Sequence, residues 1–268
     1  MKEKRSKPGS GGEKAMKNKH SSHVGREVRV AWAITTKDMR TYYTRPPSIM
    51  FGILFPFSLF LSFSIGRSTP VATLIPVLIA QTLFFSSSSI GPVVIPSERA
   101  NQTFDRFLTS PVSLLAILAG KTLAGIIYGV GISVIPILVG MVFFGSQIAH
   151  IGALIACMAL SSLAFSAMGI MFASIPGQTP GQVMMPLNFV RIPLLFISGV
   201  YTPVGVLPTW MQFVSMLSPL THTIELARYA LGGETFFGPF VNITVLAVYA
   251  VVFLCAGIRF HIMNQRKE

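Results

Sequence analysis

SERANQTFDRFLTSPVSLLAILAGKTLAGIIYGVGISVIPILVG, residues 97–140, admits two readings that lead to different folds. Gly120-Lys121-Thr122 ends like a phosphate-binding loop, which would place an α/β nucleotide domain here. Such a loop needs G-x-x-x-x-G-K-[ST] between a strand and a helix, so that glycine amides can cradle phosphates. The position required for its first glycine holds Leu115, and the chain around it is one apolar run over 114–143. About 20 largely apolar residues suffice to cross a bilayer as a helix. The run is therefore a membrane helix and the tripeptide a decoy. Lys121 is expected to snorkel to the interface.

Six such runs occur, at 46–66, 72–96, 114–143, 148–174, 182–200 and 241–258. The chain is 51% hydrophobic and 11% charged, whereas a soluble domain carries about 25% charged residues. The expected fold is all-α and polytopic, with six transmembrane helices over 46–268. The third run is overlong, so it should tilt, kink at Pro136 or begin in the interface.

The net charge is +12, and residues 1–45 hold twelve Lys/Arg against four acids. Beside a polytopic domain, a basic arm fixes orientation rather than binding nucleic acid. With the N-terminus inside, segments on that side carry seventeen Lys/Arg and those outside carry two. Both termini are expected in the cytoplasm, with the chain multi-pass in the cell membrane. Residues 1–24, with KPGSGGEK, read as a disordered basic tail without the apolar region of a cleavable signal peptide. Residues 25–45 are expected as an amphipathic interfacial helix: Val28, Trp32, Thr35 and Met39 share a stripe, and Arg26, Arg29, Lys37 and Arg40 lie mostly elsewhere. Arg45-Pro46-Pro47-Ser48 should end it.

Cys157 and Cys255 fall within spans and read as packing residues. Asn101-Gln102-Thr103 and Asn242-Ile243-Thr244 match the glycosylation pattern but lie on the cytoplasmic side and at a span edge. Within the second span, Gln81 and the run Ser86 to Ser89 serve either helix packing or a polar route. Arg191 lies about nine residues into the fifth span, on the order of 14 Å along a helix. A charge at that depth is costly and a candidate for the substrate pathway, where it would favour an anionic or strongly polar group. The alternative is that the fifth span starts later and Arg191 snorkels. Residues 201–240 should form two short outer helices, one opening at Pro208-Thr209-Trp210 and one at Pro219 that carries Glu225 and Arg228. For 97–113 the expectation is a short amphipathic helix across the cytoplasmic mouth. Ser97 would be its N-cap, Glu98 would lie in its first turn, and its charges would face a docking partner.

SERANQTFDRFLTSPVSLLAILAGKTLAG resembles the cytoplasmic-loop signature of the type-2 ATP-binding-cassette export permeases, approximately E-R-E-x-G-T-L-E-x-L-x-x-S-P-V and then an apolar helix with G-K. Glu98, Arg99, Thr103, Asp105, Leu108, Ser110, Pro111, Val112, Gly120 and Lys121 fit it. Ala100 replaces an acid and Gln102 a glycine, which leaves the turn geometry in question. FISGVYTPVGVLPTWMQFVSMLSPLTHTIELAR is similar to the family's second signature. The resemblance runs from about residue 25 to the end.

It implies a permease subunit of an ATP-driven exporter of drug-like, lipid or glycan molecules, working by alternating access. Such a subunit pairs with a second permease half and with cytoplasmic ATP-binding subunits, which carry the ATP and Mg. No cofactor is then expected on this chain, and Glu98, Arg99, Thr103, Asp105 and Arg106 would face the ATPase. An ion-coupled carrier would need intramembrane acids, and none lies in the six runs. A membrane enzyme would need clustered catalytic or metal-binding groups, yet His20, His23, His150, His222 and His261 are scattered. No catalytic or metal site is expected.

Overall fold

The computed structural model describes residues 11–42, 50–64, 74–103 and 112–265, and every regular element among them is helical. In chain order these are α1 (Gly11–Tyr42), α2 (Phe55–Ser64), α3 (Ile75–Ala100), α4 (Leu114–Phe144), α5 (Ile151–Phe172), α6 (Pro180–Ile197), α7 (Thr209–Met216), α8 (Pro219–Ala230) and α9 (Pro239–Gln265). A π-helical turn over Met50–Leu54 leads into α2, and a 3₁₀ turn over Val204–Val206 precedes α7.

The centre of the bundle is α3, which packs on α4, α5, α8, α6 and α2. Its residues are buried without a break from Ile75 to Pro96. A helix wrapped in other helices meets no lipid and is free to carry polar groups, and α3 is the least apolar of the four described helices that are long and apolar enough to cross a membrane. Small residues let its neighbours close in. A β-carbon on Gly129 of α4 would collide with the Ser87 side chain, and one on Gly169 of α5 with the Ser88 carbonyl. The outer helices show the reverse pattern, with Leu138, Val142 and Phe143 of α4 and Val248, Val251 and Val252 of α9 exposed.

Four helices are long and apolar enough to cross a membrane: α3, α4, α5 and α9. The other two expected spans are shorter or less apolar. α2 has ten residues after its π turn, between stretches outside the described residues. α6 has 18 residues, ~27 Å of helix, and contains Asn188, Arg191 and the internal prolines Pro186 and Pro193.

The described N-terminal end forms a single helix. α1 begins at Gly11, inside the stretch expected to be a disordered tail; no proline interrupts the chain between Pro8 and Pro46. The expected stripe is divided between an open and a buried side. Val28 and Trp32 are 63% and 59% exposed, while Thr35 is buried with Ile34 and Asp38. The reason lies in α4. A β-carbon on Gly120 would sit 2.6 Å from the Ala31 carbonyl oxygen, so glycine there brings α1 into backbone contact. Thr35 Oγ1 donates to the Gly120 carbonyl at 2.9 Å across that contact.

At the opposite end, the two short helices are where the sequence puts them. α8 is not a surface helix, however. It is wedged between α5, α9 and α3, and Pro219 to Ala227 are all buried.

Candidate functional site

Four charges meet where α1, the last turn of α3 and α4 converge. Lys121 Nζ donates to Glu98 Oε2 at 2.6 Å and to Asp38 Oδ2 at 3.3 Å. Lys37 Nζ donates to Glu98 Oε1 and lies 2.9 Å from Asp38 Oδ1 as an ion contact outside hydrogen-bonding geometry. Each lysine thus touches both acids, in a closed neutral ring. Lys121, Glu98 and Asp38 are fully buried and Lys37 is partly exposed. Burial alone would lower the Lys37 pKa, but Asp38 and Glu98 more than reverse this and hold it above the ordinary lysine value of 10.5. Lys37 therefore stays charged at neutral pH, and the stability it adds to the ring is lost as pH rises through that raised value.

This geometry overturns two sequence-based expectations. Lys121 does not snorkel; its charge is neutralised inside the protein. Glu98 is neither in the first turn of a new helix nor displayed to a partner, because Ser97 and Glu98 close the C-terminal end of α3. Ser97 Oγ donates back to the Val93 carbonyl at 2.7 Å rather than capping a helix start. α3 runs on because its buried face continues through Pro96 to Glu98. Lys37, Asp38 and Lys121 were missed as site residues. The signal was present: a lysine seven residues inside an apolar run needs a carboxylate, and Asp38 and Glu98 are acids bordering apolar stretches.

The rest of the charged segment hangs from this ring. Arg99 Nη1 donates to the Ile175 carbonyl at 2.9 Å, which ties the end of α3 to the turn after α5. Gln102 has φ 55°, a left-handed conformation at the position where the resembled signature has glycine. Thr103 Oγ1 donates to the Glu98 carbonyl at 3.1 Å. Asp105 and Arg106 lie outside the described residues. The next helix starts at Leu114, with Ser113 as its N-cap accepting from Ala116 N at 3.1 Å.

The serine run divides by face. Ser86 bonds back to the Thr82 carbonyl, and Ser87 packs on the α4 glycines. Ser88 and Ser89 donate back to the carbonyls of Phe84 and Phe85, which leaves their lone pairs to accept. Arg191 Nη2 donates to both, at 2.5 Å and 3.1 Å. Arg191 is fully buried against α3, so it does not snorkel. Gln81 is buried on α3 with Oε1 unpartnered.

At the other end, Glu225 Oε1 accepts from Arg228 Nη1 and Oε2 from Phe236 N, both at 2.6 Å, which clamps the chain after α8. His222, which the sequence left unassigned, sits between Asn242 Oδ1 at 2.7 Å and the Met216 carbonyl at 3.0 Å, joining α7, α8 and α9. Asn242 is itself fully buried. Trp210 is 67% exposed on α7. The expected site residues thus fall into three separate groups: a cytoplasmic-signature group at Glu98, a mid-helix group at Arg191, and the α7–α8 group.

The profile of the ABC-2 type transporter family matches residues 29–232. Among curated proteins, the chain is 24% identical over 157 residues to the probable multidrug ABC transporter permease YbhR of Escherichia coli, covering 58% of this chain and 42% of that one. It is 31% identical over 94 residues to nodulation protein J of Rhizobium leguminosarum bv. viciae, covering 35% and 36%. It is 30% identical over 141 residues to the daunorubicin resistance ABC transporter permease protein DrrB1 of Streptomyces coeruleorubidus, covering 50% and 48%. The matched stretches span less than half of each of these relatives. The family profile covers most of the chain, both signature regions and the helices from the second half of α1 to the end of α8, and on that ground the chain belongs to the ABC-2 type transporter family.

Proposed function

We propose that this chain is the membrane-spanning permease subunit of an ATP-driven exporter in the cell membrane, with α2 and α6 completing six spans and both termini in the cytoplasm. It pairs with a second permease half, identical or related, and moves a drug-like, lipid or glycan molecule outward by alternating access. ATP and Mg are bound by a separate cytoplasmic ATP-binding subunit. α1 lies along the cytoplasmic interface with Val28 and Trp32 turned to the headgroups.

The observation that carries this reading is the ring at Glu98. It joins α1, α3 and α4 at the root of the charged segment 99–113, so a push on that segment moves three helices as one body. Arg99, Thr103, Asp105 and Arg106 form the contact with the ATP-binding subunit, and Glu98 anchors them from inside. Reversing a segment charge tests this: Asp105→Lys should leave the amount of protein in the membrane unchanged, while cargo no longer stimulates ATP turnover by the co-purified ATP-binding subunit. Undiminished stimulation would remove the segment from the coupling role.

A further inference from the structure

Five ionisable side chains of the acidic and basic types are fully buried among the described residues: Asp38, Glu98, Lys121, Glu225 and Arg191. The first four are in ion pairs. Arg191 has only neutral partners. Its Nη2 donates to Ser88 and Ser89, its Nη1 to Asn188 Oδ1 at 3.3 Å, and its guanidinium carbon lies 5.3 Å from the Phe85 ring centroid and 6.0 Å from that of Phe84. Its Nε has no partner. Hydroxyls and ring faces solvate a cation, but they do not neutralise it, and at that depth an uncompensated charge is costly.

A second observation lies on the same seam between α3 and α6. Away from Arg191, past the end of α6, lies a cleft of about 560 Å³ between the start of α3 and the end of α8. Leu74, Pro76 and Val77 wall it from the start of α3 and Val200 and Tyr201 from beyond the end of α6, while Arg228 and Glu234, one charge of each sign, close it from the α8 side. Val77 and Ser88 are eleven residues apart, roughly 16 Å along the helix. Gln81 lies between them, on the same helix face as Ser88 seven residues on, and its unpartnered Oε1 is the intermediate polar group.

α6 is the wall that can give. Pro186 and Pro193 flank Arg191 within it. Each proline removes one helix hydrogen bond. The side of α6 turned away from α3 is open, with Met185, Phe189 and Phe196 at 67%, 75% and 57% exposed.

We propose that the α3–α6 seam is a binding site for an amphiphile bearing a single anionic headgroup, a carboxylate or a phosphate. Its apolar body occupies the cleft, and its headgroup supplies the charge that Arg191 lacks once α6 shifts off α3. A cationic headgroup is repelled there, and a neutral one leaves the charge uncompensated. This rests on the exporter reading and deepens it by naming the class of cargo.

The test uses the full chain in nanodiscs of zwitterionic phosphatidylcholine, without any ATP-binding subunit. Dodecyl phosphate, laurate and dodecyltrimethylammonium share one chain length and differ in headgroup. The two anions should raise the thermal unfolding midpoint at concentrations where the cation does not. Arg191→Gln should weaken the anion response at least tenfold, and Arg191→Lys should keep it. Ser88→Ala guards against simple misfolding, because it loosens the same contact yet retains the cation, and it should keep the anion preference. Equal response to anion and cation in the wild type, or an anion preference that survives Arg191→Gln, overturns the proposal. Anion binding without ATP-coupled export would instead remove the exporter reading and leave this site standing.

Discussion

Gly120, Lys121 and Thr122 look like a phosphate loop, and each has a packing role in this bundle. Gly120 admits α1, Lys121 closes the charge ring, and the Thr122 carbonyl accepts from Ser166 Oγ at 2.9 Å to bind α5. The ring makes a sharp prediction, because removing one member of a buried ion pair costs roughly 3–5 kcal/mol by stranding its partners. Lys121→Met should destabilise by that order, and so should Glu98→Gln. The double variant should cost less than the two singles together, since Lys37 and Asp38 remain as a neutral pair. Thermal unfolding of the three proteins in a neutral detergent checks this; simple additivity would mean that the four charges do not act as a unit. Gln102 offers the opposite sign. A left-handed residue other than glycine carries ~1–2 kcal/mol of strain, and glycine returns about 0.5–1 kcal/mol of that in chain entropy. Gln102→Gly should therefore raise the unfolding midpoint slightly, and a fall would show that the Gln102 side chain has a stabilising contact of its own.

At the scale of elements, what the sequence made legible depended on what each helix faces. α4, α5 and α9 announce themselves because much of each must be apolar towards lipid. α3 is legible as a span, but the purpose of its serines is not, since periodicity cannot say which helix lies against which face. Ser87 against Gly129 and Ser88 against Arg191 are contacts between residues 42 and 103 positions apart in the chain. The boundary at Ser97 was misplaced for a related reason: Ser-Glu ahead of apolar residues is a helix-start pattern, and here a buried ion pair at Glu98 extended the preceding helix instead. On α1, aromatic spacing marks the open face with Val28 and Trp32, while the face buried by backbone approach at Gly120 carries no such signal. Gly169 tests the packing argument directly. A side chain there meets the backbone of Ser88, which cannot rotate away. Overpacking of this kind costs typically 1–3 kcal/mol. Gly169→Val should lower the unfolding midpoint and the yield of monodisperse protein, whereas the same change at Gly152, where a β-carbon has nothing within 4 Å, should leave both intact.

For the whole molecule, the two polar groups at opposite ends of the bundle carry the orientation argument. The Glu98 ring and the Glu225–Arg228 pair are separated by the long helices, and the chain's basic residues are distributed unequally between those ends. By the six-span reading of the sequence, seventeen Lys/Arg fall in segments expected on the Glu98 side and two in those expected on the other. Orientation in the bilayer follows this bias in short flanking segments, so the prediction is that the Glu98 end faces the cytoplasm and α7 the outside. Cysteine labelling reads this out once the native thiols are replaced. Cys157→Ser keeps a donor to the Thr223 carbonyl, and Cys255 is exposed and outside any disulfide, so Cys255→Ser is a mild change. In that background, Thr209→Cys at the start of exposed α7 should react with an impermeant maleimide added to intact cells. Ala33→Cys on the exposed side of α1 should react only after the membrane is opened. The reverse pattern would invert the molecule and remove the contact between segment 99–113 and a cytoplasmic ATP-binding subunit. Labelling of both positions from outside would place α1 and α7 on one side, which an even number of spans between them cannot avoid and the five expected between them forbid.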